Sequence, residues 1–206
     1  FFRAPQAADC QERIITTTFD AELLALDAKT GKLCPGFGKG GRVDMTAGMG
    51  DVPHGFYYGS SAPTIVRGKV VLGGWVADNQ STSEPSGVIR GFDAVTGQFA
   101  WAWDIGRPGN TKEPGPGEEY TRSTPNSWAP MSGDEALGLV FVPTGNPTPD
   151  HWGGKRSAAT DKYGSSVVAI DVETGNARWS FQTAHRDLWD YDVASQPTLF
   201  DYTVGG

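Results

Sequence analysis

Apolar and polar positions alternate along this chain in short bursts separated by turn residues, and the bursts recur. "LLALDAKTGKL" (23–33), "IRGFDAVTGQFAWAWD" (89–104) and "VVAIDVETGNARWSFQ" (167–182) share one layout. A short apolar strand leads to an aspartate, two variable residues, Thr-Gly and a second strand. The aspartates are Asp27, Asp93 and Asp171, and the glycines are Gly31, Gly97 and Gly175. Alternation on either side predicts strands. The turn between them predicts an aspartate cap and a glycine at positive φ, so each copy is a β-hairpin.

A second motif alternates with the first. "SAPTIVRGKVVLGG" (61–74) and "SWAPMSGDEALGLVFVPTG" (127–145) each run from Ser and Pro through strand, turn and strand to Gly, and "SQPTLFDYTVGG" (195–206) begins a third copy. One unit is therefore two hairpins, or four antiparallel strands, with turn glycines spaced by 66 and then 78 residues. Four-stranded units that cannot bury their own faces must stack, which is the pattern of a β-propeller. The expected fold is all-β: part of a blade at 12–37, blades at 61–105 and 127–183, and the start of another at 195–206. Two complete blades cannot close a ring, so the sequence reads as a fragment of a larger propeller. No helix is expected; "GDEALGLVF" (133–141) fits a turn feeding a strand better. The Gly/Pro-rich stretches 38–60, 105–126 and 147–163 exceed simple hairpin loops and are candidate functional loops.

Composition narrows the function. The 206 residues include 28 Gly and 14 Pro, and the formal net charge is −7. That charge argues against nucleic acid as the main partner, since phosphate binding needs a basic face. No apolar run reaches the roughly 18 residues of a membrane span. Phe1 to Ala8 has neither the charged start nor the apolar core of a signal peptide, which leaves a cytosolic protein or a targeting segment outside this sequence. Cys10 and Cys34 have no histidine at zinc-ligand spacing. They are either free thiols or a disulfide, which would contribute about 3 kcal/mol and imply an oxidising compartment.

The densest chemistry lies in "AHRDLWDYD" (184–192). Extended backbone would send Asp190 and Asp192 to a polar face and pack Trp189 and Tyr191 into the core between blades. Asp187 would face away, or hydrogen-bond the turn before it. Trp101 and Trp179 occupy one repeat position and are expected to pack blade on blade. Arg90 is expected in a structural ion pair. His54, His151 and His185 are expected at the surface or behind a site, and Trp152 fits either a site rim or packing.

Taken together, "GGWVADN" (73–79), "GVIRGFDAVTG" (87–97), "TPNSWAP" (124–130), "TGNPTPDHWGG" (144–154) and "HRDLWDYDVASQPTL" (185–199) resemble the pyrroloquinoline quinone (PQQ)-dependent dehydrogenases. The likeness is nearest to the membrane-bound branch that oxidises glucose, quinate and related polyols. It runs from about Arg13 to Tyr202 in matching order. The resemblance implies an eight-bladed propeller holding PQQ and a divalent cation, Ca²⁺ or Mg²⁺, near its axis. It also implies ubiquinone as electron acceptor at the periplasmic face of the bacterial inner membrane, with membrane helices and the remaining blades supplied by segments absent here.

Residue by residue, the resemblance implies that Asp190 is the general base towards the substrate hydroxyl and that the Trp128 indole stacks on the quinone. Asp78 and Asn79 match metal ligands. At the next motif the family divides between the positions of Asn146 and Thr148, and this sequence has both. The adjacent cysteine pair of the soluble alcohol-oxidising enzymes is missing, which favours the membrane-bound branch. Glucose is the first expected substrate, with quinate or shikimate second. The rival is a non-catalytic scaffold of similar repeats, which has no reason to keep all these motifs. A fragment with open blade faces is expected to be oligomeric or inactive alone.

Overall fold

A computed structural model describes residues 1–203. The N-terminal sheet contains β1 (Phe2–Arg3), β2 (Glu12–Thr17), β3 (Glu22–Asp27) and β4 (Arg42–Asp44), paired in that order. A two-stranded ribbon pairs β5 (Tyr57–Tyr58) with β8 (Trp75–Val76). The second sheet contains β6 (Thr64–Val66), β7 (Lys69–Leu72), β9 (Ile89–Asp93) and β10 (Phe99–Trp103). The third contains β11 (Ser132–Asp134), β12 (Leu139–Pro143), β13 (Ser166–Asp171) and β14 (Ala177–Gln182), with α1 (Ala158–Tyr163) between β12 and β13.

The three hairpins of the repeat are built alike. Oδ1 of Asp27 accepts from the Lys29 and Thr30 amides and the Thr30 hydroxyl. Asp93 and Asp171 make the equivalent bonds to Val95 and Thr96, and to Glu173 and Thr174. Gly31, Gly97 and Gly175 have φ values of 70, 70 and 72°, the left-handed region that favours glycine.

The middle sheet is buried on both faces, as stacking requires. Along β7, Val70 and Leu72 join a core against the N-terminal sheet with Leu23, Phe37 and Met45. Val71, between them, joins the core against the third sheet with Ile89, Trp103, Val140 and Ile170. This is strand alternation with apolar residues on both sides. Trp101 crosses the second interface and donates its indole N–H to the Val172 carbonyl at 2.6 Å.

Several expectations need correction. The N-terminal unit, expected as part of a blade over 12–37, has four strands spanning 2–44, because β1 and β4 are too short to show alternation. A helix does form: Ser157 caps α1 by accepting from the Thr160 amide at 3.1 Å. Six residues are too few for a periodic signal. Residues 184–192 are not a strand, and Trp189 and Tyr191 are 63% and 62% exposed, stacked on each other at 6.1 Å. The cause is Asp187, which is buried and accepts from the Trp189 and Tyr191 amides and the Ser165 hydroxyl, curling the backbone that follows it.

Arg90 is buried and makes no ion pair among the described residues. Its guanidinium bonds the Met45 and Ala47 carbonyls and the Tyr57 hydroxyl, and lies over the rings of Tyr57, Phe92 and Tyr120. Cys10 and Cys34 form a disulfide with Cα atoms 5.8 Å apart, resolving the choice left open by the sequence. No strand lies in 195–203, and the last three residues of the blade expected there fall outside the described residues.

Candidate functional site

Four segments meet beside the junction of the second and third sheets: 78–79 after β8, 126–128 before β11, 144–150 after β12, and the curled 187–192. The second and third are stitched together by the Gly145 amide bonding the Asn126 carbonyl at 2.9 Å and the Ser127 hydroxyl bonding the Pro143 carbonyl at 2.7 Å. The fourth is locked on by Asp192. Its Oδ1 accepts from the Asn146 amide at 2.6 Å and its Oδ2 from the Trp128 indole N–H at 2.5 Å. Gly145 makes this approach possible, because a Cβ there would lie 2.7 Å from Asp192 Oδ2 and 2.9 Å from Asn126 Oδ1.

The candidates from the sequence fall into this region in different ways. Trp128 is half-buried, with its ring plane oriented by Asp192. Asp190 is exposed, two residues from Asp192, with φ 69°. Asp78 is half-buried. Asn79 is engaged: its Nδ2 donates to Asp150 Oδ2 at 2.6 Å and its Oδ1 accepts from the Asp150 amide at 3.2 Å. Asn146 donates from Nδ2 to the Asp150 carbonyl at 2.9 Å and leaves Oδ1 buried without a partner. Thr148 Oγ1 and Asn126 Oδ1 are likewise buried and unpartnered. A buried polar atom without a partner costs about 1–3 kcal/mol, so three together mark a place that is incomplete as it stands.

The acids share one electrostatic field. Asp150 is pushed up to about 7, first by burial and then by the charges of Asp78, Asp190 and Asp192, against the opposing Asn79 bond. Burial and the nearby Asp192 raise Asp78. Burial also raises Asp192, although the bonds from Trp128 and Asn146 oppose it. Carboxylates held against their preferred charge state are the surroundings in which a cation is welcome.

The donor set fits a hard divalent cation, which takes carboxylate, amide and hydroxyl oxygens. Among the described residues no three His, Cys, Asp or Glu side chains form a ready cage. Asp78, Asn146 and Thr148 each carry an oxygen of that kind. Asp150, Asp192 and Asn126 were not singled out as site residues from the sequence. Asp192 stood in the acidic run, but with the extended backbone assumed for it nothing marked a bond to Trp128. Asp150 and Asn126 lie in quoted motifs with no local pattern to distinguish them.

Comparison with known proteins bears on the family and the fold. Residues 1–206 match the family model described as PQQ: Glucose/ethanol/alcohol dehydrogenase, beta-propeller domain. The glycerol dehydrogenase large subunit of Gluconobacter oxydans is 50% identical over 199 residues, 97% of this chain and 27% of its own length. The quinoprotein glucose dehydrogenase of Escherichia coli is 45% identical over 199 residues, covering 97% of this chain and 25% of its own. The protein thus spans about a quarter of the curated relatives it matches. The quinohemoprotein alcohol dehydrogenase of Comamonas testosteroni superposes with a TM-score of 0.70 over 95% of this chain and 29% of its own, at 24% identity, a likeness of fold. Stacked four-stranded sheets, the recurring hairpin and the match over the full length have one meaning: the chain belongs to the PQQ-type glucose/ethanol/alcohol dehydrogenase β-propeller family.

Proposed function

We propose that this protein is a segment of a PQQ-dependent dehydrogenase that oxidises a sugar or polyol, glucose in the first place and quinate or shikimate in the second. The observation that carries this reading is the buried, unpartnered Oδ1 of Asn146 and Oγ1 of Thr148 in one region with the carboxylate of Asp78 and the indole of Trp128. Asp78, Asn146 and Thr148 would hold the cation, and Trp128 would offer its face to the quinone. When bound, the quinone supplies the hydride acceptor and the Ca²⁺ or Mg²⁺ supplies Lewis acidity.

The protein's own contribution is positioning and proton transfer. Asp190, exposed beside the cluster, accepts the proton of the substrate hydroxyl as the adjacent C–H bond breaks. Asp192 fixes the indole plane and ties it to the Asn146 backbone. Asn79 holds Asp150 in place and is the weakest of the expected ligands, since both ends of its amide are occupied. The disulfide suits an oxidising compartment, in keeping with the periplasmic face of the inner membrane and ubiquinone as acceptor. The remaining blades and any membrane segments belong to the longer protein.

The test is a titration of the full-length protein with PQQ and Ca²⁺, followed by tryptophan fluorescence and turnover. Metal-dependent quenching should disappear in Trp128→Ala and Asp78→Ala. Asp190→Asn should still bind PQQ and lose about 10²- to 10⁴-fold in kcat. Full activity in Asp190→Asn would remove the base assignment, and no PQQ binding by the wild type would remove the function.

A further inference from the structure

Residues 189–191 turn three side chains to solvent from a backbone that is fixed on both sides. Before them, buried Asp187 accepts from the Trp189 amide at 2.9 Å and the Tyr191 amide at 2.6 Å, and its Oδ2 also takes the Ser165 hydroxyl at 2.8 Å. After them, Asp192 is bonded to the Asn146 amide and the Trp128 indole. The neighbouring loop backs the curl: Arg156 donates to the Asp187 carbonyl, and a Cβ at Gly153 would lie 3.3 Å from the Leu188 side chain. A buried carboxylate offsets its desolvation only through such charge-assisted bonds. The curl is therefore a built support, not a fraying loop.

The support carries two aromatic rings with nothing on them. Trp189 and Tyr191 stand side by side, their ring centroids 6.1 Å apart and their planes 25° from parallel, at 63% and 62% exposure. Their hydrogen bonds among the described residues are the backbone ones to Asp187, so the indole N–H and the phenol hydroxyl are unengaged there. Between them in the chain, Asp190 is exposed, and its charge reaches both Asp150 and Asp192. Rigidly held, exposed Trp and Tyr side chains offer a large amphipathic contact area at little cost in conformational entropy.

Their place beside Asp190 decides what that contact is. An alcohol that gives its proton to Asp190 must come to rest against the residues on either side of it. A cyclic polyol has an apolar C–H face and a rim of hydroxyls. Aromatic rings take the face by dispersion, and the N–H and O–H at their edges meet the rim. An open-chain alcohol has no such face to offer. We propose that Trp189 and Tyr191 form a platform for the ring face of a cyclic polyol, turn its hydroxyl rim towards Asp190, and so favour ring-shaped over open-chain alcohols. The link to turnover rests on the dehydrogenase reading above; the stacking contact does not.

The test uses the full-length protein as wild type, Trp189→Ala, Tyr191→Ala and Trp189→Phe. Kinetics with PQQ and Ca²⁺ compare glucose with glycerol, calorimetry without PQQ measures glucose binding, and urea unfolding reports stability. Each alanine variant should raise the KM for glucose by about tenfold, with a smaller change in kcat. The KM for glycerol should stay near the wild-type value, Trp189→Phe should keep most of the glucose affinity, and unfolding midpoints should not move. An equal rise for glucose and glycerol would remove the ring selectivity. Lowered midpoints with an unchanged KM for glucose would overturn the platform, because the rings would then be packed against another part of the longer protein. Glucose binding that weakens in Trp189→Ala, in a protein that oxidises no polyol, would keep the platform and remove the dehydrogenase reading. Oxidation of glucose with one KM in wild type and both alanine variants would do the opposite.

Discussion

Trp101 and Trp179 hold the same place in two copies of one hairpin, four residues after the turn glycine, and their surroundings differ completely. Trp101 is 1% exposed, bonded to the Val172 carbonyl and packed against Gly175 of the next sheet. Trp179 is 47% exposed and packs on Phe141 of its own sheet, beside Phe181 at 67% exposure. The hairpin itself is intact in both. Forming a blade and burying it are separate events: the first depends on the turn and its flanking strands, the second on the presence of a neighbour.

The contrast can be broken most strongly at the tryptophans. Trp101→Ala should cost about 3–5 kcal/mol in urea unfolding of this protein, whereas Trp179→Ala should cost about 1 kcal/mol or less. If the next blade of the longer protein covers Trp179, the two costs should converge there. Equal costs in the 206-residue protein would mean that burial is not what distinguishes them.

The next largest effect concerns the outermost sheets. The N-terminal sheet is stapled by Cys10–Cys34, whereas the third has no such bond among the described residues. Reduction should therefore lower stability by about 3 kcal/mol and do so selectively in the first sheet. Amide exchange would locate it; faster exchange in β13 and β14 rather than β2 and β3 would contradict this.

Smaller still is the difference between turn glycines. Gly31→Ala has only the left-handed backbone to oppose it, about 1–2 kcal/mol, because nothing lies within 4 Å of the new Cβ. Gly175→Ala adds a clash with the Trp101 ring 2.7 Å away, worth about 1–3 kcal/mol more. Equal unfolding midpoints for the two variants would show that the third sheet adjusts freely against the second.

The finest distinction is acid sensitivity. Burial would raise the Asp93 carboxyl, but the Thr96 amide and hydroxyl and the Val95 amide outweigh it and hold it below the usual carboxylate range. A lowered folded value stabilises above the unfolded value of about 3.9 and is lost as pH falls through the folded one. Stability should therefore decline below about pH 4, and Asp93→Asn should show a flatter acid limb. An unchanged limb would assign the decline to other acids.

At the site the same division holds. The motifs around Trp128, Asn146, Thr148 and Asp190 could be recognised in the sequence, as could the acidic character of 184–192. The extended backbone expected there was wrong, because the buried Asp187 folds the segment back on itself, exposing Trp189 and Tyr191 and turning Asp192 inward. Nothing in the spacing of Trp128 and Asp192, 64 residues apart, announces the bond between them.

By itself, the sequence determined the repeating hairpin, its Asp-capped, Gly-closed turn, the all-β class and the family. Those depend on residues within a few positions of each other, where strand alternation, turn dihedrals and local hydrogen bonds operate. Only the tertiary structure decided which tryptophan is buried, that the two cysteines are joined, that Asn146 and Thr148 leave oxygens unpartnered, and that Asp192 rather than Asp190 bonds the Trp128 indole. These depend on which distant segments share a volume, because burial and desolvation belong to the assembled sheets and not to any one stretch of sequence.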